Sequence, residues 1–237
     1  MNEEGRPVRP MRVVAHLYAY NEEDILGRVL EHLIANGVEV IVTDNWSTDG
    51  TPRVINYYTE WDWGVKSLRW PAEPASTVSW REMLRRVELI AQAEANDCGE
   101  PLIFVHQDAD EFRRSSVDGE TYADALRRLA RVGFTTFHHA LWTYKHGVLD
   151  LRASEFDQKI GQVKAWVQVP GATVDLASSG GHVVRFDGAR MSAPGALVIE
   201  HHPLRSPEQE ARKLERMSRW SPEERAMGWH AQYGRAR

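Results

Sequence analysis

Along the chain, unbroken apolar runs typical of buried strands alternate with the three-to-four spacing of one-sided helices. Met11–Leu17 (MRVVAHL) is a short, β-branched run that predicts a first strand, and Tyr18–Asn21 turns the chain. Ile25, Leu26, Val29, Leu30, Leu33 and Ile34 then recur at helical spacing until Asn36-Gly37 stops the helix. Val38–Thr43 (VEVIVT) predicts a second buried strand, and Thr51-Pro52 a helix start with Thr as N-cap and Pro in the first turn. Val65–Trp70 follows as a third strand, Met83, Leu84, Val87, Ile90 and Ala91 mark a helix, and Leu102–His106 (LIFVH) is a fourth strand. This alternation predicts an α/β fold, Rossmann-like, with a mostly parallel central sheet flanked by helices.

Beyond the helical stretch Tyr122–Val132 the rhythm changes. Phe134–Tyr144 and Lys164–Val169 have strand character, Ser178–Gly181 is a glycine-serine loop, and Ser206-Pro207-Glu208-Gln209 and Ser221-Pro222-Glu223-Glu224 each begin a helix in a C-terminal helical segment. No repeat or linker divides the 237 residues, so one domain over 1–237 is expected, with residues 1–10 (MNEEGRPVRP) as a flexible tail. A single cysteine, Cys98, excludes an internal disulfide and fits a reducing compartment. The N-terminus lacks a basic segment followed by an apolar one, and no window has about 18 uninterrupted apolar residues. A cytoplasmic location is therefore expected, with at most peripheral membrane contact. The net charge of −5 argues against a nucleic-acid partner.

The strongest chemical signal is Asp108-Ala109-Asp110 at the end of the fourth strand. In extended chain these carboxylates point the same way, at the sheet edge where open α/β folds bind ligands. Two such acids call for a compensating cation, and hard oxygen ligands suit Mn²⁺ or Mg²⁺. The plain alternative is an acidic surface loop. Asp44 and Asn45 lie at the end of the second strand, where they can hydrogen-bond a base or ribose, while Ser47, Asp49 and Gly50 have turn chemistry. Tyr18-Ala19-Tyr20-Asn21-Glu22-Glu23-Asp24 follows the first strand. A helix start this acidic repels phosphate, and no Gly-rich phosphate loop is present, so phosphates need neutralising elsewhere.

The strand–YNEE, strand–DNWSTDGT and strand–HQDADEF blocks, in that order, resemble family 2 glycosyltransferases, and Glu200-His201-His202-Pro203-Leu204-Arg205-Ser206 resembles the C-terminal His-x-Pro-x-Arg-Ser pattern of one bacterial branch. The resemblance covers most of residues 11–213. It implies a GT-A fold and inverting sugar transfer from a nucleotide diphosphate sugar to a hydroxyl-bearing acceptor: a saccharide, a lipid-linked compound or a small molecule. It implies that Tyr18, Tyr20, Asn21, Glu22, Asp44 and Asn45 hold the nucleoside, and that Asp108 approaches the ribose or base. Asp110, with His201, would bind the metal that bridges the diphosphate.

A base must take the acceptor proton. No clear copy of the family's Glu-Asp pair is found; of Glu155, Asp157, Asp175 and His182, the last two flank the glycine-serine loop and are the candidates. Arg81, Lys159 and Arg205 are candidates for steadying the leaving diphosphate. Arg212, Arg216 and Arg219 form a stripe that is a solvent face or a contact for an anionic acceptor. Trp142, Trp166, Trp220 and Trp229 serve packing or sugar stacking. Nucleotidyl or phosphoryl transfer and a non-catalytic nucleotide-binding module are the alternative functions.

Overall fold

The computed structural model describes residues 10–61, 63–154, 162–186 and 191–226. Strands β1 (Val13–Ala19), β2 (Glu39–Asp44), β3 (Val65–Arg69) and β4 (Leu102–Asp108) alternate with helices α1 (Leu26–Ala35), α2 (Thr51–Glu60) and α3 (Trp80–Cys98). After β5 (Glu111–Ser115) come α4 (Tyr122–Arg131), β6 (Thr136–Lys145), β7 (Val148–Leu149), β8 (Gln162–Gln168) and β9 (Ser192–Leu204). Helices α5 (Pro207–Arg216) and α6 (Pro222–Ala226) follow, joined by a 3₁₀ turn at Met217–Arg219.

One sheet runs β3-β2-β1-β4-β8-β6-β9-β5, with β7 on β6. Its first four strands are parallel, so β1, β2 and β4 bring their C-terminal ends to one edge: Ala19 pairs with Asp44, and Tyr18 with Asp108. β8 turns antiparallel against β4, β6 and β9 run parallel to each other, and β5 is antiparallel to β9. The α/β order expected from the apolar pattern is thus present, with helices on a sheet whose second half is mixed. β5 and β9 are additions that the pattern did not indicate.

The core has two parts, one on each sheet face. Leu17, Val29, Leu30, Leu33 and Val42 pack with Tyr122 and Leu126, while Met83, Leu84, Val87 and Phe104 pack with Trp166 and Leu176. Because side chains alternate along a strand, β1 sends Leu17 to the first cluster and Tyr18 to the second. α3 begins with Ser79 accepting a bond from the Glu82 amide and ends at Gly99, whose φ of 68° is left-handed. α2 starts differently from expectation. Thr51 does not cap it; its hydroxyl accepts the Glu22 amide at 2.8 Å, and Asp49 Oδ1 accepts the Thr51 amide at 2.9 Å.

The C-terminal segment does not stand apart. The Val78 amide donates to the Arg219 carbonyl at 2.7 Å and the Ser221 amide to the Val78 carbonyl at 2.9 Å, which lays the chain across the loop before α3. No described helix is long and apolar enough to cross a membrane.

Candidate functional site at the acidic sheet edge

Asp108 is the last residue of β4, and the chain turns at Ala109-Asp110 before β5. The two carboxylates therefore do not project from one extended strand, as the spacing alone suggested; each meets a different set of cations. Asp108 Oδ2 lies 2.6 Å from Lys164 Nζ on β8, and the same ammonium sits 2.7 Å from Glu111 Oε1. Glu111 also pairs with Arg113 at 2.8 Å, and Glu111, Arg113 and Lys164 are all buried. Burial alone would push the Asp108 carboxyl up, but Lys164 and His106 together outweigh it and the group is held below the usual carboxylate range. The same pairing raises the Lys164 ammonium against its own desolvation.

Asp110 faces the C-terminal segment. Its Oδ2 lies 3.0 Å from Lys213 Nζ and 3.8 Å from Arg205 Nη1, and its Oδ1 lies 3.5 Å from His201 Nε2. β5–β9 pairing brings this about, since Glu111 stands opposite His201 and the His202 amide donates to the Asp110 carbonyl at 2.8 Å. Burial works against the charge on Asp110, yet Lys213 and His201 hold it well below its ordinary value. Burial likewise opposes a charge on His201, and Asp110 reverses this, so the ring's pKa is raised. The compensating cations for the half-buried Asp108 and the buried Asp110 are thus supplied by the chain itself.

The fit of a divalent ion rests on Asp110 and His201. Two adjacent ligands at about 2.1 Å from an octahedral ion stand roughly 3 Å apart, close to the Oδ1–Nε2 separation here. His201 Nδ1 is buried and lacks a hydrogen-bond partner. Among the described residues no cluster of three or more His, Cys, Asp or Glu suits a metal. An ion there would have Asp110 and His201 as protein ligands, with its other positions left for substrate oxygens and water.

The nucleoside-side candidates divide into two groups. Glu22 is buried and bonded to Arg205 Nη2 at 2.5 Å and Arg216 Nη1 at 2.8 Å. Tyr20 lies beneath Arg219, whose Cζ is 3.7 Å from the ring centroid, and its carbonyl accepts from Arg216. Asn45 is buried, donates to the Trp70 carbonyl at 2.9 Å and accepts from Arg219 at 3.2 Å. Asp44 Oδ1 accepts the Ser47 amide at 3.0 Å, while Oδ2, 3.1 Å from Arg69 Nη2, is buried without a well-aligned hydrogen bond. These four line the edge.

Tyr18 and Asn21 do not join them. The Tyr18 side chain is in the core beside Trp70, its hydroxyl donates to the Met83 carbonyl at 3.3 Å, and burial raises its pKa. Asn21, at a φ of 55°, ties two loops together: its Oδ1 accepts the Thr48 amide at 2.8 Å and its amide donates to Ser47 at 3.0 Å. In both, local packing and loop bonding occupy the side chain's polar groups.

Of the base candidates, Asp175 is an exposed turn cap. Its carboxylate accepts the Ser178 amide at 2.9 Å and the Ser178 hydroxyl, and that hydrogen bond lowers its pKa. His182 is exposed, with Nδ1 3.3 Å from Gln162 Nε2. Between them, Gly181 packs so closely on His106 that an added Cβ would lie 3.2 Å from its ring nitrogen. His106 is fully enclosed, burial lowers its pKa to about 3, and Asp108 Oδ1 is 3.8 Å away.

Arg81 is exposed on the first turn of α3, where its charge helps lower the Asp175 pKa. Glu155, Asp157, Lys159 and Trp229 lie outside the described residues. Trp166 is core, with its indole donating to Gln168 at 2.8 Å, whereas Trp220 meets Trp80 edge to face at 5.9 Å.

Lys164 and Lys213 escaped the sequence reading. Each is a single lysine in a segment read for its apolar or helical pattern, and nothing local marks its distant acid partner. Arg216 and Arg219 were visible as a stripe, but they face the site and not solvent.

Comparison with known proteins gives a match of residues 16–79 to Glycosyl transferase family 2, a stretch running from β1 to the residue before α3. Comparison with the curated proteins finds no match. Among solved structures, the chain is similar to S. aureus TarS in complex with UDP, at 18% identity and a TM-score of 0.42 over 56% of this chain and 36% of that one. It is also similar to a mannosyltransferase from Pyrobaculum calidifontis in complex with GDP-Man and Mn²⁺, at 17% identity and a TM-score of 0.47 over 88% of this chain. The chain spans 36% and 61% of the lengths of these two structures.

Proposed function

We propose that this chain, with its family 2 glycosyltransferase segment at residues 16–79, transfers a sugar from a nucleotide diphosphate sugar to a hydroxyl-bearing acceptor, using the acidic edge as its donor site. The observation that carries the reading is the convergence of Asp44, Asn45, Asp108 and Asp110 on the edge formed by the ends of β2 and β4, with cationic side chains from later elements folded over it. Asp44, with a buried carboxylate oxygen short of a hydrogen bond, suits a base N–H or a ribose hydroxyl. Tyr20, its ring covered by Arg219, seats that guanidinium at the nucleotide end of the site. Asp108, held by Lys164, is fixed in position as an acceptor for ribose hydroxyls.

Asp110 and His201 are the residues that would hold Mn²⁺ or Mg²⁺, which when bound supplies Lewis-acid stabilisation of a leaving diphosphate. Arg205 and Lys213 add positive charge at Asp110, and Arg216 adds it at the neighbouring Glu22, where the acidic loop ahead of α1 provides none. With Asp175 committed to its turn, His182 is the residue we assign to accept the acceptor's proton, in a single displacement that inverts the anomeric centre.

The test is incubation with a panel of uridine and guanosine diphosphate sugars and Mn²⁺. Release of free nucleoside diphosphate from at least one is expected, and loss of that release in His182→Ala supports the proton-transfer role. Pyrophosphate as the released product would move the protein to nucleotidyl transfer. Binding without any release would make it a non-catalytic nucleotide-binding module.

A further inference from the structure

We propose that Glu224 is a positioning residue that clips the C-terminal strap, Arg205 to Ala226, onto the start of α3 and so sets Arg216 and Arg219 against the nucleotide end of the donor site. This rests on the donor-site reading. Glu224 occupies the third position after the Ser221 cap, where a carboxylate ordinarily folds back onto its own helix. Its amide does bond Ser221 Oγ at 3.3 Å, but its side chain goes elsewhere. Oε1 accepts from Ser79 Oγ and from the Arg81 amide at 2.9 Å each, and Oε2 accepts from the Trp80 amide at 2.9 Å.

Glu224 is 3% exposed, so these bonds and the positive end of a 19-residue helix replace the hydration of its carboxylate. The α3 N-terminus already has Ser79 as its cap, so the helix does not need Glu224 in order to begin. What Glu224 adds is a fixed point for the strap.

The clip lies directly beside what it would position. Trp80, whose amide Glu224 accepts, packs on Trp220 and donates from its indole to the Gly180 carbonyl at 3.0 Å, so strap and glycine loop share one anchor. Arg219, next to Trp220, covers Tyr20 and reaches Asn45, and Arg216 reaches Glu22. These guanidiniums satisfy the site's acids and carbonyls, and a bound diphosphate offers them stronger acceptors in the same place.

The experiment pairs limited trypsin digestion, which cuts the strap after residues such as Arg212, Lys213, Arg216 and Arg219, with calorimetric titration of UDP and GDP in Mn²⁺. In Glu224→Ala, strap cleavage should rise roughly tenfold or more while the remainder of the chain stays resistant, and the affinity for whichever nucleotide the wild type binds should fall about tenfold. Glu224→Gln, which keeps one acceptor oxygen, should fall between the two. Arg219→Ala, scored at the sites it leaves intact, should weaken nucleotide binding at least as much as Glu224→Ala with a smaller rise in strap cleavage, because the Glu224 clip remains. Wild-type cleavage and affinity in Glu224→Ala, or a freed strap with unchanged affinity, would overturn the proposal. A wild type that binds neither nucleotide overturns the donor-site reading and the part given to the arginines with it, before any variant is made.

Discussion

The parallel half of the sheet and the C-terminal strap meet at the same edge but are held by different physics. β1 and β4 are sequestered runs such as Val13–Ala19, covered on both faces by α1 and α3 and stabilised by apolar burial that needs no particular partner. The strap buries little that is apolar. It is fixed by ion pairs and hydrogen bonds to Glu22, Asp110, Asn45 and the start of α3, each of which requires one geometry. A site built this way has a rigid wall and a cover that responds to charge, so a ligand that changes the charge acts on the cover first.

Mutations at the two kinds of contact should separate them. Phe104→Ala on β4, where the ring packs 5.2 Å from Trp166, should cost about 3–5 kcal/mol of unfolding free energy in denaturant melts. Its nucleotide affinity, measured below the melt, should remain that of the wild type. Lys164→Met strikes where the wall meets the site: it strands Asp108 and Glu111 without their shared ammonium and should also cost about 3–5 kcal/mol. Unlike Phe104→Ala, it should weaken nucleotide binding in the same titration, because Asp108 loses its fixed position.

The smallest effect is expected at an ion pair outside both regions. Arg128 holds the Glu120 pKa down at about 2, below its ordinary 4.5. A depressed carboxylate stabilises the fold above its unfolded pKa and loses that contribution as pH falls toward the folded one. The stability gap between wild type and Glu120→Gln, less than about 1 kcal/mol at neutral pH, should therefore close between pH 4.5 and 2 in thermal melts. A gap that widens on acidification would contradict the pairing.

How far the sequence could be read follows the same division. The parallel strands and their helices were legible because burial imposes a period, and β1, β2, β3 and β4 fall within a residue or two of the apolar runs that announce them. Asp44, Asn45, Asp108 and Asp110 were legible as edge residues because they end those runs. β9 was not, since its sequence SAPGALVIEHHPL carries prolines and a glycine that read as loop, and β5 was hidden inside the acidic motif. Cation partners were the least legible part. Lys164 meets Asp108 across 56 residues and Glu224 meets Trp80 across 144, and pairing at such separation leaves no local trace. The capping-box spelling at Ser221–Glu224 located a helix start correctly but gave no sign that the glutamate serves another helix.

The central claim, that Asp110 and His201 make a metal-dependent diphosphate site, is tested most directly by titrating the intact chain with UDP and GDP in Mn²⁺ and again in EDTA, alongside Asp110→Asn. The account predicts that at least one nucleotide binds, that Mn²⁺ tightens it by about tenfold or more, and that Asp110→Asn abolishes the metal-dependent part while the fold persists. Equal affinity in Mn²⁺ and EDTA, unchanged by Asp110→Asn, would contradict it.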